Sequence, residues 1–114
     1  MALPALTKTL IETKLKKYCE DRIPAHVKSG VRLTFRFRGN SVTLTEERPL
    51  FTDASKWVGI TVAQFRFNPK TSKWTLYCAD RNSRWHEYLE SEPDAKIETL
   101  LEHVEKDVTG IFWG

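Results

Sequence analysis

The sequence predicts an α+β domain in two layers, with about five antiparallel strands in one sheet and two helices packed on its apolar side. Three observations carry that prediction. Apolar residues recur at helical spacing near both ends of the 114-residue chain, strict apolar–polar alternation fills residues 31–38, and turn-forming clusters punctuate the stretch between the ends. The order reads α-β-β-β-β-β-α, expected as a single domain over residues 1–114.

The first helix is expected from Leu6 to Arg22. Leu6, Leu10, Ile11, Leu15 and Tyr18 form a broad apolar stripe interrupted by Lys14, while Lys8, Lys16 and Lys17 face water. Pro4 suits the start, and Ile23-Pro24 marks the end because a residue before proline leaves the α region. A hairpin follows. Val31 to Arg38 alternates, Gly39-Asn40 makes a two-residue turn, and Ser41 to Arg48 returns, so that Phe37 faces Val42, Phe35 faces Leu44 and Arg32 faces Glu47.

Pro49 to Trp57 reads as an irregular connection. Ile60 to Phe67 is the third strand, with a change of apolar parity at Val62-Ala63 that marks a bulge. Asn68 to Ser72 is a turn cluster. The fourth strand, Trp74 to Asp80, puts Trp74, Leu76 and Cys78 on one face and Thr75, Tyr77 and Ala79 on the other. After the Arg81-Asn82-Ser83 turn, Trp85 to Leu89 forms the fifth. A two-residue Asn82-Ser83 turn sets Tyr77 opposite Tyr88 and Ala79 opposite His86; a one-residue change in that loop swaps the faces. Ser91 with Asp94 resembles a capping box for the last helix. Its stripe is Ile97, Leu100, Leu101, Val104 and Val108, with Glu98, Glu102 and Glu105 outside and Gly110 as its stop. The apolar ending Ile111-Phe112-Trp113-Gly114 is expected to pack on the core.

Composition narrows the function classes. Four Trp, six Phe and three Tyr supply a core without crosslinks. Cys19 and Cys78 match no metal-ligand spacing and read as reduced, buried thiols. No secretory signal and no membrane span are read, so a cytoplasmic protein is expected, without membrane contact. The net charge of +3 is unevenly spread: residues 1–48 hold ten Lys/Arg against five Asp/Glu, and residues 49–114 hold eight against ten.

The segments Ala63-Gln64-Phe65-Arg66-Phe67, Trp74-Thr75-Leu76-Tyr77, Asp80-Arg81-Asn82, Arg84-Trp85-His86-Glu87-Tyr88 and Asp107 to Gly114 resemble a family of small bacterial proteins labelled only as a domain of unknown function. The resemblance spans most of the chain. Members often carry Trp at the position of Cys78 and Pro at that of Val108. It implies a bacterial origin and this small-domain architecture, and it implies no activity and no catalytic residue.

By alternation, the outer face of the sheet displays Arg32, Arg36 and Arg38, then Gln64 and Arg66, then Tyr77, and finally His86 and Tyr88. Arginines that neutralise phosphates beside rings that stack on bases suit single-stranded nucleic acid or another polyanion. Glu47 opposite Arg32 removes part of that field. The expected function is therefore a non-catalytic binding module. A protein-interaction module using the same face or an exposed strand edge is one alternative. The other is a small phosphodiesterase or ribonuclease built on Arg81, Arg84 and His86, with Asp80 alongside.

No cofactor and no metal are expected. His26, His86 and His103 sit on different elements, and His103 with its neighbours Glu102 and Glu105 does not converge on one ion. No Ser-His-Asp arrangement, phosphate loop or dinucleotide fingerprint appears. Glu92-Pro93-Asp94 at the last helix start excludes a double-stranded RNA binder, which needs a basic one. Trp57, Trp74, Trp85 and Trp113 read as core.

Overall fold

The computed structural model describes residues 3–23 and 30–113, so Pro24, His26 and Gly114 lie outside the described residues. It has the predicted α+β architecture: helix α1 (Ala5–Arg22), strands β1 (Arg32–Arg38), β2 (Ser41–Leu50), β3 (Asp53–Asn68), β4 (Lys73–Ala79) and β5 (Trp85–Glu87), and helix α2 (Ile97–Lys106). The strands lie in the sheet in chain order, each antiparallel to the next.

Helix α1 buries a narrower stripe than its sequence suggests. Ile11, Leu15 and Cys19 enter the core, whereas Leu6 and Leu10 are 87% and 54% exposed. Helical geometry explains this, because Leu10 and Leu6 lie about 100° and 140° round the axis from Ile11. Leu3, before the helix, fills the core at this end, and its N–H donates to the Gly39 carbonyl at 3.3 Å.

The β1–β2 hairpin has the predicted register, with Phe37 opposite Val42, Phe35 opposite Leu44 and Arg32 opposite Glu47. Gly39 turns it at φ 59°. The bulge also stands where parity changes: Leu44 pairs with Ala63 but Thr45 pairs with Thr61, so Val62 is the extra residue. Both Val62 and Ala63 consequently reach the core.

The expected irregular connection at 49–57 is instead a β-arm. Pro49 pairs with Trp57 and Leu50 with Asp53, so β2 and β3 continue past the point where β1 stops at Arg32–Glu47. A proline is tolerated there because, among the described residues, no third strand pairs with the arm and needs its missing N–H. Gly59 sits where a Cβ would meet the Thr45 methyl at 2.9 Å, so a side chain at that position would crowd Thr45.

The last helix starts later than a Ser91 cap implies. Asp94 exchanges backbone bonds with Trp74, at 2.8 and 3.0 Å, and its carboxylate accepts from the Lys96 N–H. Ser91 is buried and caps no helix. The sheet has taken the segment that would have formed the first turn, and α2 begins at Ile97. It ends at Asp107, which adopts the left-handed conformation (φ 44°), rather than at Gly110. Ile97, Leu100, Leu101 and Val104 are buried, but Val108, beyond that end, is exposed.

The C-terminal segment is held by Asp107. Its two carboxylate oxygens accept from the N–H groups of Phe112 and Trp113 at 3.0 and 2.8 Å. Phe112 then packs on Tyr88 with ring centroids 4.9 Å apart, and Trp113 Nε1 donates to the Val104 carbonyl. Ile111 remains exposed. Both helices and this tail lie over the apolar side, where Phe65, Trp74, Leu76, Leu44, Leu15 and Leu100 form the centre of the core. None of the described helices is long and apolar enough to cross a membrane.

Candidate functional site

The register fixes which side chains share the face turned away from the helices. One row across the sheet is Arg36, Thr43, Gln64, Tyr77 and Glu87; beside it run Arg38, Ser41, Arg66 and Thr75, with Asn68 and Lys73 next to them. Arg32, Glu47 and Gly59 lie towards the arm, and Ala79 and Trp85 at the β5 edge.

Arg66 is held on this surface by two contacts. Its Nε donates to Gln64 Oε1 at 2.7 Å, and its guanidinium stacks on the Tyr77 ring at 3.8 Å. Gln64 is in turn oriented by donating Nε2 to Thr43 Oγ1 at 2.9 Å. Arg32 is neutralised, as its position opposite Glu47 predicts: Nε lies 2.9 Å from Glu47 Oε1, and the guanidinium covers Trp57 at 4.0 Å. Arg36 and Arg38 are exposed and have no carboxylate within ion-pair distance among the described residues.

Two predicted members of this face belong to the other side. Asp80 N–H bonds to the Arg84 carbonyl, which closes a three-residue loop, Arg81-Asn82-Ser83, with Ser83 in the left-handed region at φ 62°. One extra loop residue shifts every pair, so Tyr77 faces Glu87, Cys78 faces His86 and Ala79 faces Trp85. Tyr88 is buried on the helix side against Phe112. His86 is exposed but at the helix-side margin. Trp85 and Glu87 take their places on the outer face. Trp85 on this face and Trp57 in the arm are half-buried surface rings, not core, whereas Trp74 is fully buried. The sequence did contain a signal: Asp80 sits where its carboxylate can cap the loop, and a capping Asp favours the longer turn.

That loop collects the remaining predicted residues. Asp80 Oδ1 accepts from the N–H groups of Asn82 and Arg84 at 2.8 and 3.0 Å, and Oδ2 lies 2.7 Å from His86 Nε2. The His86 contact first, and the Arg84 N–H second, hold the Asp80 carboxyl below its ordinary value of 3.8. Arg81 and Arg84 are exposed. Among the described residues no hydroxyl or thiol is hydrogen-bonded to the His86 ring, and both oxygens of the Asp80 carboxylate are engaged within the hairpin. The loop accordingly reads as a capped turn.

A groove of about 630 Å³ lies between α1 and α2. Part of its charge is paired: Lys14 Nζ is 2.7 Å from Glu98 Oε2, Tyr18 donates to Glu105 at 2.8 Å, and Arg22 Nε lies 3.2 Å from the same carboxylate without hydrogen-bonding to it, while its guanidinium covers Trp113. Lys17, Asp21 and Glu102 also line the groove. Burial, and then the Glu105 bond, push the Tyr18 phenol upward, so it acts as a fixed donor that clamps the helices together. No group of three or more His, Cys, Asp or Glu side chains placed to hold a metal occurs among the described residues.

The predicted site thus divides. Arg36, Arg38, Arg66 and Tyr77 share the open face, Arg32 flanks it in an ion pair, Arg81 and Arg84 sit on a separate turn, and His86 and Tyr88 face the helix side. No curated protein and no solved structure is significantly similar to the chain. The family model described as "Domain of unknown function (DUF3024)" matches residues 3–114, and the chain belongs to that family.

Proposed function

We propose that the outer sheet face is a non-catalytic binding surface for single-stranded nucleic acid. The observation that carries this reading is the arrangement of Arg36, Arg38 and Arg66: two guanidinium groups without carboxylate partners among the described residues share the face with a third held over the Tyr77 ring. Both helices and the C-terminal segment pack on the opposite side, so none of these elements competes for the face. Four strand spacings separate β1 from β5, about 19 Å in all, which accommodates a short run of extended nucleotides. Arginine neutralises phosphates, and stacking on rings tolerates any base. A flat, open surface of this kind suits a flexible strand better than a small ligand, which prefers a concavity.

A cytoplasmic setting goes with this reading, since free Cys19 and Cys78 stay reduced there. The test is binding of labelled oligonucleotides to the wild-type chain and to Arg36→Ala with Arg38→Ala. Loss of affinity in the double variant supports the proposal; equal affinity refutes it.

A second reading rests on a different observation. The arm carries a fully exposed Phe51 at its tip, with Val58 and Ile60 exposed along β3, and such residues suit a protein contact. Phe51→Ser with Ile60→Ser should then remove a stoichiometric partner that co-purifies with the wild-type chain.

A further inference from the structure

Three rings among the described residues reach the outer face, but they are not equivalent. Trp57 is covered by Arg32 at 4.0 Å and Tyr77 by Arg66 at 3.8 Å. Trp85 has no guanidinium over it among the described residues, and it lies opposite Ala79, whose methyl leaves room above the sheet. It is the ring available for a base. Two residues along β5, on the same face, stands Glu87, exposed and without an ion-pair partner among the described residues. The alternate positions of a strand are about 6.7 Å apart, within reach of one purine stacked on the ring.

A carboxylate is an odd neighbour for phosphates, yet it is a good acceptor for base edges. Guanine alone presents two adjacent donors, N1–H and N2–H2, that match both oxygens of a carboxylate in a fork. Adenine and cytosine offer one amino group beside an acceptor that a carboxylate repels; thymine and uracil offer a single N–H between two carbonyl acceptors. We propose that Trp85 and Glu87 form a guanine-selective subsite, with the base stacked on the indole and its Watson–Crick edge donating to Glu87. This rests on the outer face binding nucleic acid, and it adds a base preference that phosphate neutralisation alone does not supply.

The experiment uses hexathymidylates carrying one guanine, inosine, adenine or cytosine at the third position, which avoids quadruplexes, with fluorescence anisotropy at low salt. Guanine should bind roughly tenfold tighter than the other bases, the scale of one bidentate pair. Inosine, lacking the N2 amino group, should lose most of that preference. Glu87→Gln should bring guanine within about twofold of thymine, and should strengthen binding of plain hexathymidylate because a negative charge has left the face. Trp85→Ala should weaken every oligonucleotide. Salt-dependent binding that needs Arg36 and Arg38 but ranks all bases equally would overturn the subsite and leave the nucleic-acid reading standing. A guanine preference that survives Glu87→Gln would overturn it too. Absence of salt-dependent binding to any oligonucleotide would remove both.

Discussion

Replacing Asp107 tests how the C-terminal motif is held. This carboxylate accepts from two backbone N–H groups, Phe112 and Trp113, while its own backbone sits at φ 44°. Bonds to a charged acceptor contribute about 1.5–3 kcal/mol each when buried. Asp107 is only half-buried and both bonds share one carboxylate, so the pair together is worth about 2 kcal/mol. Alanine adds about 1 kcal/mol of left-handed strain, which glycine avoids. Asp107→Ala should therefore cost about 3 kcal/mol, Asp107→Gly about 2, and Asp107→Asn about 1, since asparagine keeps an acceptor and tolerates that conformation. Urea unfolding followed by circular dichroism gives the global term. Amide exchange at Phe112 and Trp113 detects fraying confined to the tail. Ala and Gly variants of equal stability, with unchanged exchange at both amides, would refute the reasoning.

Deleting Val62 should leave the fold intact at a cost of about 2 kcal/mol, the burial of one valine; Thr61 and Ala63 would then pair in regular alternation with Thr45 and Leu44. Deleting Gln64 instead reverses the faces of β3 on one side of the deletion and should abolish cooperative unfolding. Asp80 titrates below 3.8 in the folded chain, so its contribution is full above that value and disappears as pH falls through the lowered one. Exchange at the Asn82 and Arg84 amides, corrected for intrinsic rate, should stay flat from pH 7 to about 4.5 and rise only below the ordinary carboxylate value; opening that begins above pH 5 would contradict the cap. Burial pushes the Cys19 thiol up to about 11 from 9.0, which favours the fold below pH 9 and ceases to do so as pH rises through 11. At pH 8 a thiol reagent should modify the folded chain at least about tenfold more slowly than the chain in urea, and equal rates would refute the burial of both cysteines.

The parts of the fold legible in the sequence were those set by local rules. Alternation and the Gly39-Asn40 turn determine the β1–β2 register, and the doubled apolar pair Val62-Ala63 marks the bulge, because each rests on neighbours in the chain. Other features depend on distant partners. Ser91 and Asp94 have the composition of a helix cap, yet Trp74 offers Asp94 a backbone partner, and the helix starts six residues after Ser91. Leu6 and Leu10 are apolar at helical spacing, but burial depends on what lies across from them. Pro49 argues against a strand, and it is acceptable because no third strand among the described residues pairs with the arm beside it. The candidate site was half legible for the same reason. Arg36, Arg38, Arg66 and Tyr77 follow from strand parity, whereas Trp85 and Glu87 depend on a loop that is one residue longer than Asn82-Ser83 suggests.

The proposed contact of the outer face with a polyanion strand runs through Arg36, Arg38 and Arg66. Its most direct test is the salt dependence of binding to a single-stranded oligonucleotide, measured for the wild-type chain and for Arg36→Ala with Arg38→Ala. Each phosphate neutralised contributes about −0.7 to the slope of log K against log salt. The account predicts a linear decline for the wild-type chain and a slope shallower by about 1.4 in the double variant. Binding that ignores salt, or a slope unchanged by removing both arginines, would contradict it.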